Sequence, residues 1–255
     1  MAQTPPPFAE SQLMEKITLN LAGIPVEIHL RYPDHIPLLL PYHTDCPPVA
    51  SAAVPSEYIE RRRLLYEPNA TTTFIEACEI ATFACQALLP FHRAIFHSVA
   101  FTWQDHGYLL TAPSGTGKTT QYALWKTLYG SEVQMINGDK PALSFEGERI
   151  TIHPTPWAGK ENMSQMRTAP LAGIVLLEQA QTDEIRLLQP TEAIARIFCQ
   201  FMIPAEQTEE AVAVAAMTDR LLRETPVWLF RNRGLRDGTK ICRDALLQYE
   251  KERNK

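Results

Sequence analysis

The sequence has no strong charge of either sign. Its 24 Lys and Arg residues stand against 29 Asp and Glu residues, which gives a formal net charge of −5 and an isoelectric point near 5.8. Because a nucleic-acid backbone is bound by a basic surface, this balance argues against a general nucleic-acid-binding protein. The basic run at residues 61–63 is short and is typical of a solvated helix face.

The sequence also lacks the cysteine spacing of a metal site or a disulfide framework. Its five cysteines are Cys46, Cys78, Cys85, Cys199 and Cys242. They form no CxxC motif and no Cys/His pairing at metal-site spacing. We therefore expect reduced, mostly buried thiols in a cytoplasmic protein.

Signals for export and for membrane insertion are missing as well. The opening segment MAQTPPPFAESQLMEK has neither the cationic start nor the apolar run of a secretory signal. No apolar run approaches the roughly 20 residues that a membrane-spanning helix needs, so we expect no membrane association. The composition, 45% apolar and 21% charged, is average for a globular protein, and 255 residues predict one large domain or one domain with an appendage.

Hydrophobic periodicity predicts short strands and a few longer helices. Alternating residues on both sides of Gly23 predict a hairpin in residues 16–32, and helical spacing predicts a helix in residues 71–90. The proline-rich residues 33–68 carry no clear pattern. Further helices are predicted at residues 117–130, 191–202, 208–224 and 237–252.

The strands of the second half are too often joined directly for a doubly wound sheet. Predicted strands lie in HSVAFTW, GYLLTA, EVQMIN, PALSFE, RITIHP, LAGIVLLE, EIRLLQP and PVWLFRN, and the first two flank QDHG as a hairpin. We therefore predict an α/β fold in which a mixed β-sheet surrounds one central helix. A small N-terminal α+β segment, residues 1–90, would precede the main domain, residues 91–255.

The segment LLTAPSGTGKTT, residues 109–120, matches the phosphate-binding loop pattern with Ala112 in place of its first glycine. Glycines in such a loop let backbone amides curl around phosphate oxygens, while the helix N-terminus and the lysine add positive charge. The threonine after the lysine offers a hydroxyl to Mg²⁺. The predicted nucleotide contacts are Ser114, Gly115, Thr116, Gly117, Lys118, Thr119 and Thr120. A glycine-rich strand-to-helix turn without a ligand is the alternative.

Chain geometry predicts that Asp139 returns to this loop. The helix after Gly117 carries the chain roughly 20 Å away, at 1.5 Å per residue. If SEVQMING returns as an extended strand, it covers about 23 to 26 Å. Asp139 could then bind Mg²⁺ or accept a proton from an incoming hydroxyl. A turn-forming role in NGDKP is the alternative.

His97 is a second candidate beside the loop. If QDHG is the tip of the hairpin, Trp103 lies opposite Tyr108. Counting back along both strands then predicts that His97 lies opposite Ser114, next to the phosphates. A purely structural histidine at the start of a strand is the alternative.

These residues resemble the HPr kinase/phosphorylase family and its smaller relatives, which share a nucleotide-binding core with phosphoenolpyruvate carboxykinases. The resemblance rests on FHSVAFTWQDHGYLLTAPSGTGKTT, on the acidic position in MINGDKPAL, and on HPTPWAGKENM, which is similar to a loop of the smaller relatives. It covers roughly residues 91–247. The first 90 residues do not resemble the N-terminal domain of HPr kinases.

The resemblance implies that the loop residues hold ATP and Mg²⁺, with Thr119 and Asp139 at the metal. It also implies that Asp139 and His97 handle the proton of an acceptor hydroxyl, and that Lys118 acts on the phosphoryl group. Where the family usually has two adjacent acids, this chain has Gly138 and Asp139. The downstream signature of true HPr kinases is missing, which argues against HPr as the substrate.

Four further side chains are candidates for the same site. Lys160 in WAGKEN could contact the phosphates, or it could be a solvated surface lysine. Arg231 and Arg233 in LFRNRGL could bind a carboxylate or phosphate of the acceptor, or they could be ordinary exposed arginines. Trp157 could line the acceptor site, or it could simply pack.

The sequence therefore predicts an ATP- and Mg²⁺-dependent kinase that phosphorylates a hydroxyl. A serine of a peptide or protein is the expected acceptor, and free serine or another small alcohol is the alternative. The hairpin in ITLNLAGIPVEIHL could accept a peptide as an added strand, or this segment could only complete the core or the interface of a homo-oligomer. A nucleotide-binding regulatory or peptide-binding module without transfer activity is the alternative of a different class, and Gly138 is its main support.

Overall fold

The first hairpin forms where the apolar alternation predicts it. In the computed structural model, which describes residues 14–65, 70–204 and 208–253, β1 (Glu15–Leu21) pairs antiparallel with β2 (Ile24–Leu30). Ala22 and Gly23 both have positive φ, 51° and 85°, as a tight two-residue hairpin turn requires. β3 (Ala50–Ala53) pairs parallel with β2, which completes a sheet of order β1-β2-β3.

The proline-rich segment forms short elements around β3. Helix α1 is limited to Ile36–Leu39, and α2 (Ser56–Arg63) follows β3. Pro37 near the start of α1 fits because the first turn of a helix needs no backbone donor there. The last part of this segment, residues 66–68, lies outside the described residues.

Helix α3 (Thr72–Leu88) forms within the predicted range, residues 71–90, and is long and apolar. Thr71 caps it by accepting a hydrogen bond from the backbone N of Phe74. Thr72–Phe91 has the length and mean hydropathy, 1.4, of a membrane-spanning segment, so the expectation that no stretch approaches this length was wrong. The reason is that α3 packs on several sides, and 61% of its most apolar part is buried inside the protein.

The basic run at residues 61–63 is more than a solvated face. Arg62 reaches from α2 to α3, where its guanidinium nitrogen Nη2 lies 2.7 Å from Oε1 of the buried Glu79. A buried carboxylate needs such a partner, so this part of the run has a structural role.

Nine strands form the second sheet in the described part of the chain. They are β4 (Arg93–Ile95), β5 (Val99–Trp103), β6 (His106–Thr111), β7 (Val133–Asn137), β8 (Ala142–Ser144), β9 (Thr151–His153), β10 (Ala169–Gln179), β11 (Glu184–Leu187) and β12 (Val227–Asn232). The remaining helices are α4 (Lys118–Tyr129), α5 (Pro190–Phe198), α6 (Thr208–Glu224) and α7 (Arg236–Arg253).

The long strand β10 organises this sheet. It pairs antiparallel with β9 at its start and then lies parallel between β6 and β12. β5 is antiparallel to β6, and β11 is antiparallel to β12. The fold is therefore α/β with mixed sheets, as the sequence predicted.

Two buried apolar clusters cover the two faces of the sheet. In β6, Leu109 belongs to one cluster and Leu110 to the other, as alternation along a strand requires. One cluster contains Trp125 of α4 and Leu246 of α7. The other contains residues of α3, α5 and α6 and continues into β1 and β2, so residues on both sides of position 90 share it. The proposed division at residue 90 stays a prediction.

Two local predictions were wrong. The β5–β6 turn consists of Gln104 and Asp105, both with positive φ, so Trp103 pairs with His106 instead of Tyr108. A two-residue turn shifts the pairing of the whole hairpin by two positions. Helix α5 ends at Phe198, four residues before the predicted end, because the chain beyond it pairs with β4: Met202 N donates to Ile95 O at 2.9 Å.

Candidate functional site

The predicted phosphate loop connects the end of β6 to the start of α4. Gly115 and Gly117 have φ values of 80° and 107°, which other residues rarely adopt, and Gly117 precedes the first residue of α4. A Cβ at Gly115 would meet no atom within 4 Å, so backbone conformation, and not space, requires glycine there. Ser114 and Thr120 are exposed, and Thr116 and Thr119 are partly exposed, so a ligand can reach them.

Lys118 is the buried charge of this loop. Its side chain is 8% exposed, and Nζ donates a hydrogen bond to Ala112 O at 2.8 Å. Burial lowers the pKa of Lys118, and the nearby carboxylate of Asp139 opposes that shift. The two side chains are therefore close enough for their charges to interact.

Asp139 returns to the loop as the chain geometry predicted. It follows β7, and its backbone O accepts a hydrogen bond from Ser98 N at 2.9 Å. His97 Nε2 lies 3.4 Å from Oδ1 of Asp139, and Lys140 Nζ forms a short ion pair with Oδ2. Burial alone would raise the pKa of Asp139, but His97 and Lys140 together lower it to about 2. Asp139 is therefore ionised at neutral pH.

The His97–Asp139 pair forms, although the predicted strand register was wrong. His97 does not lie opposite Ser114, since the tight β5–β6 turn brings Thr111 beside it: Thr111 Oγ1 lies 2.7 Å from His97 O. His97 N donates to Gln200 O at 2.8 Å, which ties the histidine to the segment after α5. Its position beside Asp139 comes from the pairing of β5 with β7.

Asn137 sets the turn that presents Asp139. Its Oδ1 accepts hydrogen bonds from the backbone N atoms of Asp139, at 3.0 Å, and Lys140, at 2.8 Å. Its Nδ2 donates to Thr155 O at 2.8 Å, and the residue is fully buried. Because Asn137 forms the turn, the carboxylate of Asp139 is left for other contacts. An asparagine two residues before the acid is the sequence signal for this role.

The loop at residues 158–164 packs directly on this turn. A Cβ at Gly138 would lie 2.7 Å from Ala158 O and 3.2 Å from Met163 O, so position 138 has no room for a side chain. A Cβ at Gly159 would lie 3.2 Å from Cβ of Asp139. The second acid that the resemblance leads one to expect at position 138 is therefore excluded by the packing of this loop.

The remaining candidates differ in their distance from this centre. Lys160 is exposed and directly follows Gly159, whereas Trp157 is partly buried and accepts a backbone hydrogen bond from Lys140 N at 3.1 Å. Arg233 forms an ion pair with Asp183 at 2.6 Å, and Arg231 lies 3.6 Å from Glu178. Both arginines are therefore paired with carboxylates, and their role toward an acceptor stays a prediction.

A cavity of about 820 Å³ opens beside the phosphate loop. The loop forms one wall, the end of β10 with Leu176 and Glu178 forms another, and α5 with Arg196 and the residues after it forms the third. The exposed thiol of Cys199 lines this cavity. Its size and its mixed apolar and polar lining suit a small organic molecule held next to the loop.

No preformed metal centre exists in the described ranges: no three His, Cys, Asp or Glu side chains come together there in a way that could hold a metal ion.

Comparisons with known proteins give little more. No family model matches the chain, and no curated protein matches it. Among solved structures it is similar to the HPr(Ser) kinase/phosphatase from Coxiella burnetii, with 13% identity, coverage of 63% of this chain and 94% of that chain, and a TM-score of 0.39.

Proposed function

We propose that this protein is an ATP- and Mg²⁺-dependent kinase that transfers the γ-phosphoryl group to a hydroxyl, with a serine of a peptide or protein as the acceptor. The proposal includes a P-loop fold of the HPr kinase and phosphoenolpyruvate carboxykinase type. One observation carries it: a glycine loop with a buried lysine, Lys118, lies within electrostatic range of an ionised carboxylate, Asp139, that is paired with His97.

The loop residues fit a nucleoside triphosphate and its metal. The two glycines already have positive φ, and Lys118 is the first residue of α4, where the helix N-terminus favours an anion. Thr119 in the same turn would offer its hydroxyl to Mg²⁺. Bound Mg²⁺ would neutralise charge on the phosphate oxygens. The nucleoside would occupy the cavity between the loop, β10 and α5.

Catalysis by this chain would consist mainly of positioning and charge compensation. Asp139 would accept a hydrogen bond from the acceptor hydroxyl and orient its oxygen toward the γ-phosphorus. As the new oxygen–phosphorus bond forms, the bond to the bridging oxygen breaks and ADP leaves. The proton of the hydroxyl passes to Asp139 and from there to water, while His97, whose Nε2 lies 3.4 Å from Oδ1, orients the carboxylate.

A peptide acceptor is supported by the contact between the N-terminal segment and the loop beside Asp139. Tyr42 OH lies 2.6 Å from Ser164 Oγ. Part of the edge of β1 is already paired, because Thr44 N donates to Thr18 O and Leu19 forms a β-bridge with His43. An added peptide strand would therefore have to use the first residues of β1. Free serine needs no such edge and remains the alternative acceptor.

A regulatory nucleotide-binding module is the second candidate. It is favoured by the missing acid at position 138 and by the ion pair that already neutralises Asp139. Such a module would bind ATP through the same loop but would transfer no phosphoryl group.

The loop assignment is tested by replacing its lysine. We expect Lys118→Ala to weaken ATP binding in Mg²⁺ buffer at least tenfold by calorimetry, about 1.4 kcal/mol, because the loop's buried positive charge is lost. Lys126→Ala is the matched control: Lys126 is on the same helix, and its Nζ donates to a backbone carbonyl, Val133 O, at 2.7 Å. Equal affinities for the parent and Lys118→Ala would refute the assignment.

A further inference from the structure

Lys140 is an ordered cation that neither the loop motif nor the catalytic steps above use. Its backbone N is held by Asn137 Oδ1 at 2.8 Å and by Trp157 O at 3.1 Å. Its backbone O accepts a hydrogen bond from Thr155 Oγ1 at 2.6 Å. The backbone of Lys140 is therefore held in place, and its ammonium group pairs with Asp139.

The charges around Asp139 suit an anionic ligand better than a free metal ion. Asp139 pairs with the ammonium group of Lys140, the buried Lys118 adds a second positive charge in the phosphate loop, and packing excludes a second carboxylate at position 138. The side chains of Asp139 and Lys140 are each 21% exposed, so a bound anion can approach them. A polyphosphate carries several negative charges and can compete with a single carboxylate for the ammonium group of Lys140.

We propose that Lys140 is a second polyphosphate-binding residue that controls Asp139. In the free protein its ammonium group neutralises Asp139. When the triphosphate binds to the loop, the ammonium group moves to the phosphate oxygens and releases the carboxylate for the acceptor hydroxyl. This inference rests on the proposed function. A second acid at position 138 would hold a further metal cation against the phosphates, and here the ammonium group of Lys140 would supply part of that positive charge.

The test measures the binding of sodium tripolyphosphate by calorimetry in EDTA, so that neither metal nor turnover contributes. We expect Lys140→Gln to weaken binding at least tenfold, Lys140→Arg to stay within threefold of the parent, and Lys126→Gln to change nothing. If Lys118→Ala loses binding but Lys140→Gln binds within twofold of the parent, the role of Lys140 is overturned while the loop assignment stands. No binding by the parent, or equal binding by all variants, would overturn the loop assignment and this inference with it.

The exchange of partners is tested by a double-mutant cycle with Asp139→Asn. In the parent, Lys140 must leave Asp139 to bind phosphate, whereas in Asp139→Asn it is already free. We therefore expect Lys140→Gln to weaken tripolyphosphate binding at least threefold more in the Asp139→Asn background than in the parent. An equal effect in both backgrounds would contradict the exchange. Circular dichroism spectra that match the parent confirm that each variant is folded.

Discussion

Asp139 shows how strongly single side chains define this site. Burial disfavours its charge, yet His97 and Lys140 lower its pKa to about 2. An acid with so low a pKa is a weak base, so its contribution to phosphoryl transfer would be orientation of the acceptor and late acceptance of a proton. Weak basicity is acceptable in phosphoryl transfer, where the protein acts chiefly by positioning and electrostatic stabilisation.

His153 gives a prediction about stability and pH. Its Nε2 lies 2.9 Å from Ser144 Oγ, and burial together with the charge of Arg93 lowers its pKa to about 4. An unfolded histidine has a pKa near 6.5, so between pH 6.5 and 4 the unfolded chain binds a proton that the folded chain does not. We expect the free energy of unfolding to fall with pH there, by at most about 1.4 kcal/mol per pH unit from this residue.

The measurement is urea denaturation at pH 7, 6 and 5 for the parent and for His153→Gln, which can keep a hydrogen bond to Ser144 but binds no proton. The variant should gain stability relative to the parent as the pH falls. The exposed His106 provides the control variant His106→Gln. A stability difference between parent and His153→Gln that does not change with pH would count against this explanation.

Sequence reasoning found some residues of the site and missed others for physical reasons. Gly115, Gly117 and Lys118 belong to a local motif whose chemistry depends on residues adjacent in the chain. Asp139 followed from the lengths of a helix and a strand. Lys140 was missed because its ion pair with Asp139 depends on the exact turn that Asn137 sets, and no periodic pattern encodes that turn.

At the scale of elements, the loop at residues 158–164 is predicted to hold the Asp139 turn in place. In Gly138→Ala, the new Cβ would lie 2.7 Å from Ala158 O, so the loop must shift. We expect a loss of about 1–3 kcal/mol of stability, which is typical of overpacking. Hydrogen exchange should become faster in peptides covering residues 158–164.

Gly147→Ala is the comparison variant for this loop. Gly147, unlike Gly138, has a positive φ, 75°, and a Cβ there would meet no atom within 4 Å. Gly147→Ala should lower the free energy of unfolding, because alanine is strained at a positive φ, but it should not speed hydrogen exchange at residues 158–164. Unchanged exchange of these residues in Gly138→Ala would contradict the packing account.

Most elements were predictable, while their ends and registers were less so. The helix α6 and the strands of the main sheet follow directly from apolar spacing. The β5–β6 register was wrong because Gln104 and Asp105, with positive φ, make a tighter turn than the Gly-containing QDHG suggested. α5 was predicted too long because the pairing of residues 201–202 with the end of β4 is a tertiary contact.

At the scale of the whole molecule, the N-terminal segment and strands of the main sheet, among them β6 with Leu109, share one buried apolar cluster. The same segment reaches the loop beside Asp139 through the Tyr42–Ser164 hydrogen bond. Deleting the segment would therefore expose core residues, so its role in acceptor binding is better tested in the full chain. Cytoplasmic location and self-association stay predictions from the sequence.

The central claim is that the full-length protein transfers phosphate to a serine hydroxyl. The most direct measurement is mass spectrometry of products after incubation with ATP and Mg²⁺ and either a serine-containing peptide library or free L-serine. We predict phosphorylated peptides in preference to phosphoserine, with formation slowed roughly 10²-fold or more in Asp139→Asn although ATP still binds. Phosphoserine in place of phosphopeptides would reject the peptide acceptor. Tight ATP binding with no phosphorylated product from either acceptor, or equal turnover by Asp139→Asn, would contradict the kinase account.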